Sequence, residues 1–148
     1  MIKKKMSRNV IFKFSLAILL LCSIVNLQAK TIATIPEASG IVYVEKSNTL
    51  FVANDEGSIY ELSKKGKILR KKYLGDYDLE GVTYDKKNDT LLLAVEGKES
   101  ILILNRKNLE LEKEIKIKRK FEDIKLLKKS KKAGIEAITI DSNGDVYL

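Results

Sequence analysis

Histidine and tryptophan are absent from this sequence, and cysteine and proline occur once each. Without histidine the chain lacks the commonest general base and the commonest zinc ligand. The single cysteine, Cys22, lies in an N-terminal leader, so the remainder has no thiol chemistry, no disulfide and no thiolate metal site. No serine has a histidine to activate it, and no glycine-rich phosphate loop is present. Nucleophilic catalysis therefore has no support in the sequence. Long apolar runs are also scarce: the stretch Phe14–Val25 holds 12 residues, short of the roughly 20 that a spanning helix needs. No low-complexity linker appears, and Pro36 stands where the repetitive part of the chain begins.

The first thirty residues differ in composition from the rest. Lys3, Lys4, Lys5 and Arg8 form a basic head, the apolar run follows, and Ala29 supplies a small residue before a cleavage point. This is the layout of a secretory signal peptide. Two alternatives stay open. Val10-Ile-Phe12 extends the run past Lys13 into an uncleaved anchor, or Cys22 is acylated, although Leu21 before it is bulky for such a site. The leader also carries much of the charge. Of the +8 net, five basic residues and no acid lie in residues 1–29, leaving +3 for the remainder. The basic excess that remains is concentrated between Lys116 and Lys132. Within it, Lys128-Lys-Ser-Lys-Lys132 could meet an anionic surface. With no aromatic platform interleaved, it reads as a solvated lysine loop, and nucleic acid is not expected as a partner of an exported chain.

What the chain does contain is repetition. Ser39-Gly-Ile-Val-Tyr43, Glu80-Gly-Val-Thr-Tyr84 and Glu136-Ala-Ile-Thr-Ile140 are versions of one segment, and Thr49-Leu-Phe-Val-Ala53 recurs as Thr90-Leu-Leu-Leu-Ala94. The first two copies are offset by 41 residues at both places. A period near 40 in strand-rich sequence marks the blades of a β-propeller. The first copy divides into strands at Gly40–Val44, Leu50–Ala53, Ile59–Leu62 and Ile68–Tyr73. The second divides at Val82–Tyr84, Leu91–Val95, Ile101–Leu104 and Leu111–Ile117. Asn, Asp, Gly and Ser clusters separate them, as hairpin turns require. The inner two strands of each copy are apolar nearly throughout, which suits sheets covered on both faces by neighbours. The insertion Lys118–Ala133, with Phe121, Ile124, Leu126 and Leu127 among lysines, fits a short amphipathic helix or a bulky loop. The third copy begins at Ile135, turns at Asp141-Ser-Asn-Gly144 and enters its second strand near Val146. About two and a half blades cannot close a ring. The expectation is a piece of a longer propeller protein or, less favoured, a chain that needs other copies to complete the ring.

Acids at the repeat edges are the candidates for chemistry. Glu80 and Glu136 occupy one position, just before the innermost strand, with Asp78 two residues before Glu80 and Glu37 two before Ser39. Asp55 and Glu96 match each other at the end of the second strand. Carboxylates from successive blades converging on one axis repel unless a cation offsets them, and hard oxygen ligands suit Ca²⁺. The lack of His and Cys argues against zinc or copper. An equally available reading is that Glu80 and Glu136 cap strands. For Asp55, Glu56 and Glu96 a turn acid bonded to its own loop is the simpler account. Asp141-Ser-Asn-Gly-Asp145 resembles the opening of a helix-loop-helix calcium loop, but its flanks read as strands and a hairpin turn is expected instead.

Glu37-Ala-Ser-Gly-Ile41, Asp78-Leu-Glu-Gly-Val82 and Gly134-Ile-Glu-Ala-Ile138 resemble the blade openings of the SdiA-regulated family of bacterial propeller proteins. The resemblance implies a five-bladed, all-β propeller behind an N-terminal signal or membrane segment, distantly similar to NHL-repeat propellers. It also implies a calcium site, for which Glu80, Glu136, Glu37 and Glu96 are the metal-ligand candidates. On this reading residues 1–29 are the leader and 35–148 the N-terminal part of the propeller domain. The function expected is that of a non-enzymatic, calcium-binding envelope protein, periplasmic or anchored to the cell membrane. Its partner would be an envelope protein or a small molecule, it would meet membrane only through the leader, and no particular oligomer is indicated. The alternative is a metal-dependent hydrolase of lactones or phosphate esters.

Overall fold

A computed structural model of the chain describes residues 29–118, 120–121, 124–125 and 134–148. The leader, apart from Ala29, and the Lys128–Lys132 run lie outside the described residues. The chain divides into two units, Met1–Thr31 and Ile32–Leu148. Of the first, residues 29–31 are exposed and without regular secondary structure. Among the described residues every regular element is a strand, and no helix is long and apolar enough to cross a membrane.

The second unit is built from two four-stranded antiparallel sheets. β1 (Ala38–Val44), β2 (Thr49–Asn54), β3 (Ser58–Ser63) and β4 (Ile68–Tyr73) form the first, in that order. β5 (Asp78–Asp85), β6 (Thr90–Glu96), β7 (Ser100–Asn105) and β8 (Leu111–Lys116) form the second. These are the strands read from the sequence, each within a few residues, and the sequential order is that of a propeller blade. Residues able to take a left-handed backbone make the turns tight. Asn48 and Asp89, 41 residues apart, hold φ of 55° and 58° at the end of the first hairpin of each sheet, where Asn and Asp are favoured among non-glycines. Gly57 holds φ of 76° in the next hairpin of the first sheet, while the Asn54 carbonyl and Oδ1 accept the Gly57 and Ser58 amides.

The insertion expected to be a helix or loop contains strands instead. β9 (Lys120–Phe121) pairs with β10 (Ile124–Lys125), setting Phe121 opposite Ile124. β11 (Thr139–Ile140) and β12 (Val146–Tyr147) open the third repeat around the anticipated Asp141–Gly144 turn.

Two packed interfaces explain the apolar inner strands. The first sheet sends Val44, Phe51, Ala53 and Ile59 against Leu79, Val82, Leu91, Leu93 and Leu102 of the second. The other face of the second sheet sends Leu92, Ala94 and Ile101 against Ile135 and Ile138 of the third repeat. β6 is therefore covered on both sides by its neighbours, while β2 meets the second sheet on one side and Ala33 and Ile35 on the other. β1 departs from the expectation: Ile41 is 62% and Tyr43 45% exposed, and Lys64 reaches over the Tyr43 ring, its ammonium 5.5 Å from the ring centre.

A polar latch joins the two sheets. Asp89 receives Arg106 through both of its oxygens, at 2.5 and 3.1 Å, along with Lys46 from the first sheet at 2.8 Å and the Tyr84 hydroxyl at 2.8 Å. Arg70 of the first sheet bonds Glu61 and donates to the carbonyls of Arg106 and Lys107. The hydrogen bonds from Arg106 and then Lys46 hold the Asp89 carboxyl well below the usual carboxylate range. A carboxyl depressed in the folded state stabilises fully above its unfolded value, about 3.9, and that contribution is lost as pH falls through lower values. Asp89→Asn, which keeps the shape and tolerates the backbone, should cost about 1–3 kcal/mol at neutral pH. Urea midpoints at pH 5 and pH 3 should fall more for the native protein than for the variant.

Candidate metal centre

The acids come together through strand pairing. Asp78, first residue of β5, is paired directly with Glu96, last residue of β6. Two residues on, the ladder slips: Leu79 pairs with Val95 and Gly81 with Ala94, so Glu80 has no partner and forms a β-bulge. A bulge re-aims the side chain it carries. The result is that carboxylate oxygens of Asp78, Glu80 and Glu96 lie within 4.8 Å of one another. The same bulge occurs in the first sheet between Ala38 and Gly40. There the bulged residue is Ser39, whose hydroxyl bonds the Leu79 carbonyl of the next sheet. The shared position is thus structural in one copy and acidic in the next.

Electrostatically the group is unbalanced. Asp78 is exposed while Glu80 and Glu96 are half-buried, and among the described residues none of the three pairs with Lys or Arg. Burial, first, and then the charges of Asp78, Glu96 and Asp55 push the Glu80 carboxyl above its ordinary range, with a hydrogen bond to Asp78 adding to the effect. One oxygen of Asp55 is buried without a hydrogen-bond partner. Like charges set directly across a ladder destabilise it.

A groove adjoins the group, lined by Glu37, Asp55, Glu56, Asp76, Tyr77 and Asp78. Glu37 holds φ of 44° and its carbonyl accepts the Asp55 amide at 3.1 Å. Lys98 comes to the groove wall: its ammonium lies 3.9 Å from the Tyr77 ring centre and donates to the Asp76 carbonyl.

Of the residues singled out from sequence, the structure brings Glu80 and Glu96 together and sets Glu37 in the adjoining groove. Glu136 is exposed and outside the three-carboxylate group. Its segment nonetheless passes the site, since a β-carbon on Gly134 would lie 2.8 Å from Cγ of Glu96. Asp78 belongs to the group although sequence reading gave it only as a neighbour of Glu80. Its direct pairing with Glu96 depends on where the ladder slips. Asp141, the weak calcium-loop signal, has its Oδ1 filled by the amides of Asn143, Gly144 and Asp145. It is a turn acid, as expected.

A model of the SdiA-regulated family matches residues 17–148. No curated protein matches the sequence. Among solved structures the chain is similar to Kuenenia stuttgartiensis hydrazine synthase, with TM-score 0.55 and 18% identity over 82% of this chain and 30% of that one. It is also similar to the β-propeller domain of Cps50 (Swd1) from Myceliophteria thermophila, with TM-score 0.51 and 9% identity over 76% of this chain and 31% of that one. These likenesses concern fold, and the chain spans about a third of the length of each.

Because the Glu80 carboxyl is raised in the folded state, its charge weakens the metal-free fold above that value, and the penalty is relieved as pH falls through it. Glu80→Gln should therefore stabilise the chelator-treated protein at pH 7 by about 0.2–1 kcal/mol. Thermal unfolding in chelator checks this, and a lower midpoint for the variant would contradict the repulsion described.

Proposed function

The chain belongs to the SdiA-regulated family, and from that premise we propose that it is an exported, non-enzymatic β-propeller protein that binds Ca²⁺ through Asp78, Glu80 and Glu96. The observation that carries the reading is three carboxylates whose oxygens lie within 4.8 Å of one another, none of them ion-paired among the described residues. Ca²⁺ takes about six to eight oxygens at roughly 2.3–2.6 Å, so oxygens on one ion lie up to about 5 Å apart. The donor set fits. The ligands are all hard oxygens, the spacing suits one ion, and both the burial and the neighbouring charges that raise Glu80 disfavour an uncompensated carboxylate that a cation would offset. Glu37 and Asp55 stand close by as further oxygen donors, and bound Ca²⁺ would supply charge neutralisation across the bulge of the second sheet.

The basic head and apolar run of residues 1–29 support export across the inner membrane. The protein would then be periplasmic or anchored to the cell membrane by that segment, with an envelope protein or a small molecule as partner. The hydrolase alternative draws on the open groove beside the acids, where Tyr77 and Asp76 could contact a substrate held near a cation. A screen of lactones and phosphate esters, with and without chelator, separates the two readings. Chelator-sensitive turnover would favour the hydrolase.

Calcium binding to the folded state alone stabilises it, by about 2.7 kcal/mol when calcium is a hundredfold above Kd. Millimolar CaCl₂ should raise the thermal midpoint of the native protein over chelator, and Glu80→Gln or Glu96→Gln should remove most of that rise. An unchanged midpoint in the native protein would overturn the calcium reading.

A further inference from the structure

The turns of the two four-stranded sheets fall at two ends. One end carries the turns that follow β1, β3, β5 and β7, and the other those that follow β2, β4 and β6. The carboxylate group and its groove lie at the second end, with Asp55, Glu56 and Asp76 in the turns and Lys98 the one lysine in them. The first end has the opposite character. Lys46, Lys64, Lys65 and Lys67 stand in the turns of the first sheet, all exposed. Lys86, Lys87 and Lys107 stand in those of the second, also exposed. Most acids at this end already have partners. Asp89 holds Arg106 and Lys46, and Glu110 pairs with Lys72. Asp85 and Asp141 accept the amides of their own turns. Glu45 and Asp145 are the acids left. Apart from Lys46, none of the seven turn lysines has an acid partner among the described residues.

This exposure does not depend on what else stacks beside the sheets. Repeats stack face to face, while turns project from the sheet ends. The second sheet has a neighbour on both faces, and Lys86, Lys87 and Lys107 are exposed nonetheless. The chain enters the domain at the same end. Gly66, in the Lys64–Lys67 turn, leaves no room for a β-carbon against the Ile32 carbonyl, and Ile32 is the first residue of the unit. A leader kept as an anchor is therefore tethered to the lysine end. The insertion Lys118–Ala133 starts from the other end, where the Ile117 amide bonds the Glu99 carbonyl, so its lysines form no part of this surface.

We propose that the lysine end lies against the anionic phospholipid surface of a membrane, held by Lys86, Lys87, Lys107 and the Lys64–Lys67 turn, so that the carboxylate groove opens away from the lipid. The partner is a bilayer because the surface is spread over the turns of two sheets, carries charge of one sign, and stands where the leader joins the domain. Lysines near an anionic leaflet are attracted within about a Debye length. One apolar anchor gives marginal attachment, and a basic patch beside it makes the attachment stable. The contact is thus a second one, beyond the leader itself.

The test uses the full 148-residue chain in a Cys22→Ser background, reconstituted in chelator so that the outcome does not depend on the metal. The vesicles are phosphatidylcholine with or without phosphatidylglycerol, and carry a quencher on the lipid headgroup. A fluorophore is attached at Asn88→Cys, among the lysines, or at Glu56→Cys, at the acid end, both exposed positions. On the anionic vesicles quenching at position 88 should be severalfold that at position 56. Salt at about 0.5 M, where the screening length is about 4 Å, should remove the difference. Lys86→Gln, Lys87→Gln and Lys107→Gln together should remove it as well, and arginine at the same three positions should keep it. Equal quenching at the two positions, or the same preference on neutral vesicles, would overturn the proposal. So would its loss on Lys128→Gln, Lys129→Gln, Lys131→Gln and Lys132→Gln but not on the three turn substitutions.

Discussion

Sheet stacked on sheet is the contact on which the rest depends. A four-stranded antiparallel sheet of this size has two faces and, in these repeats, no helices to cover them. β6 is apolar on both faces because a neighbouring repeat lies on each side, and β2 because the second sheet covers one face and Ala33 and Ile35 pack on the other. The backbones come close at the inner edge, where a β-carbon on Gly40 would meet Gly81 and one on Gly81 would meet Ile138. A side chain at either glycine would force the sheets apart and open the apolar layer behind it. Hydrophobic burial supplies the drive, and the two glycines set how near the inner strands come.

That stacking gives the carboxylates different surroundings at the two ends of the second sheet. Asp89 ends the β5–β6 turn, where packing delivers Arg106, Lys46 and Tyr84, and its charge is more than matched. Asp78, Glu80 and Glu96 lie at the other end of the same two strands, where register and bulge deliver acids alone. The first arrangement locks two sheets together. The second leaves negative charge that the described protein does not neutralise, and this asymmetry is the physical basis for assigning a cation to one end and a structural role to the other.

Much of the architecture is legible in the order of residues. The 41-residue offset, the Asn48 and Asp89 turns and the doubly apolar strands fix repeat length, strand order and the all-β class, because each is a local property of a strand or turn. The leader's basic head and apolar run are legible in the same way. Folding was needed for contacts between segments far apart in the chain. Ladder slippage at Leu79–Gly81 brought Asp78 into the acid group, since a bulge shows only in pairing. Glu136 matches Glu80 in sequence, yet it lies outside the group because its repeat contributes the segment beside Glu96, at Gly134, instead of a carboxylate. Phe121 and Ile124 pair across a hairpin that spacing alone read as a helix or loop. The partnership of Asp89 with Arg106 and the bareness of Ile41 against the burial of Val82 likewise depend on what packs alongside, which the sequence of a single repeat does not contain.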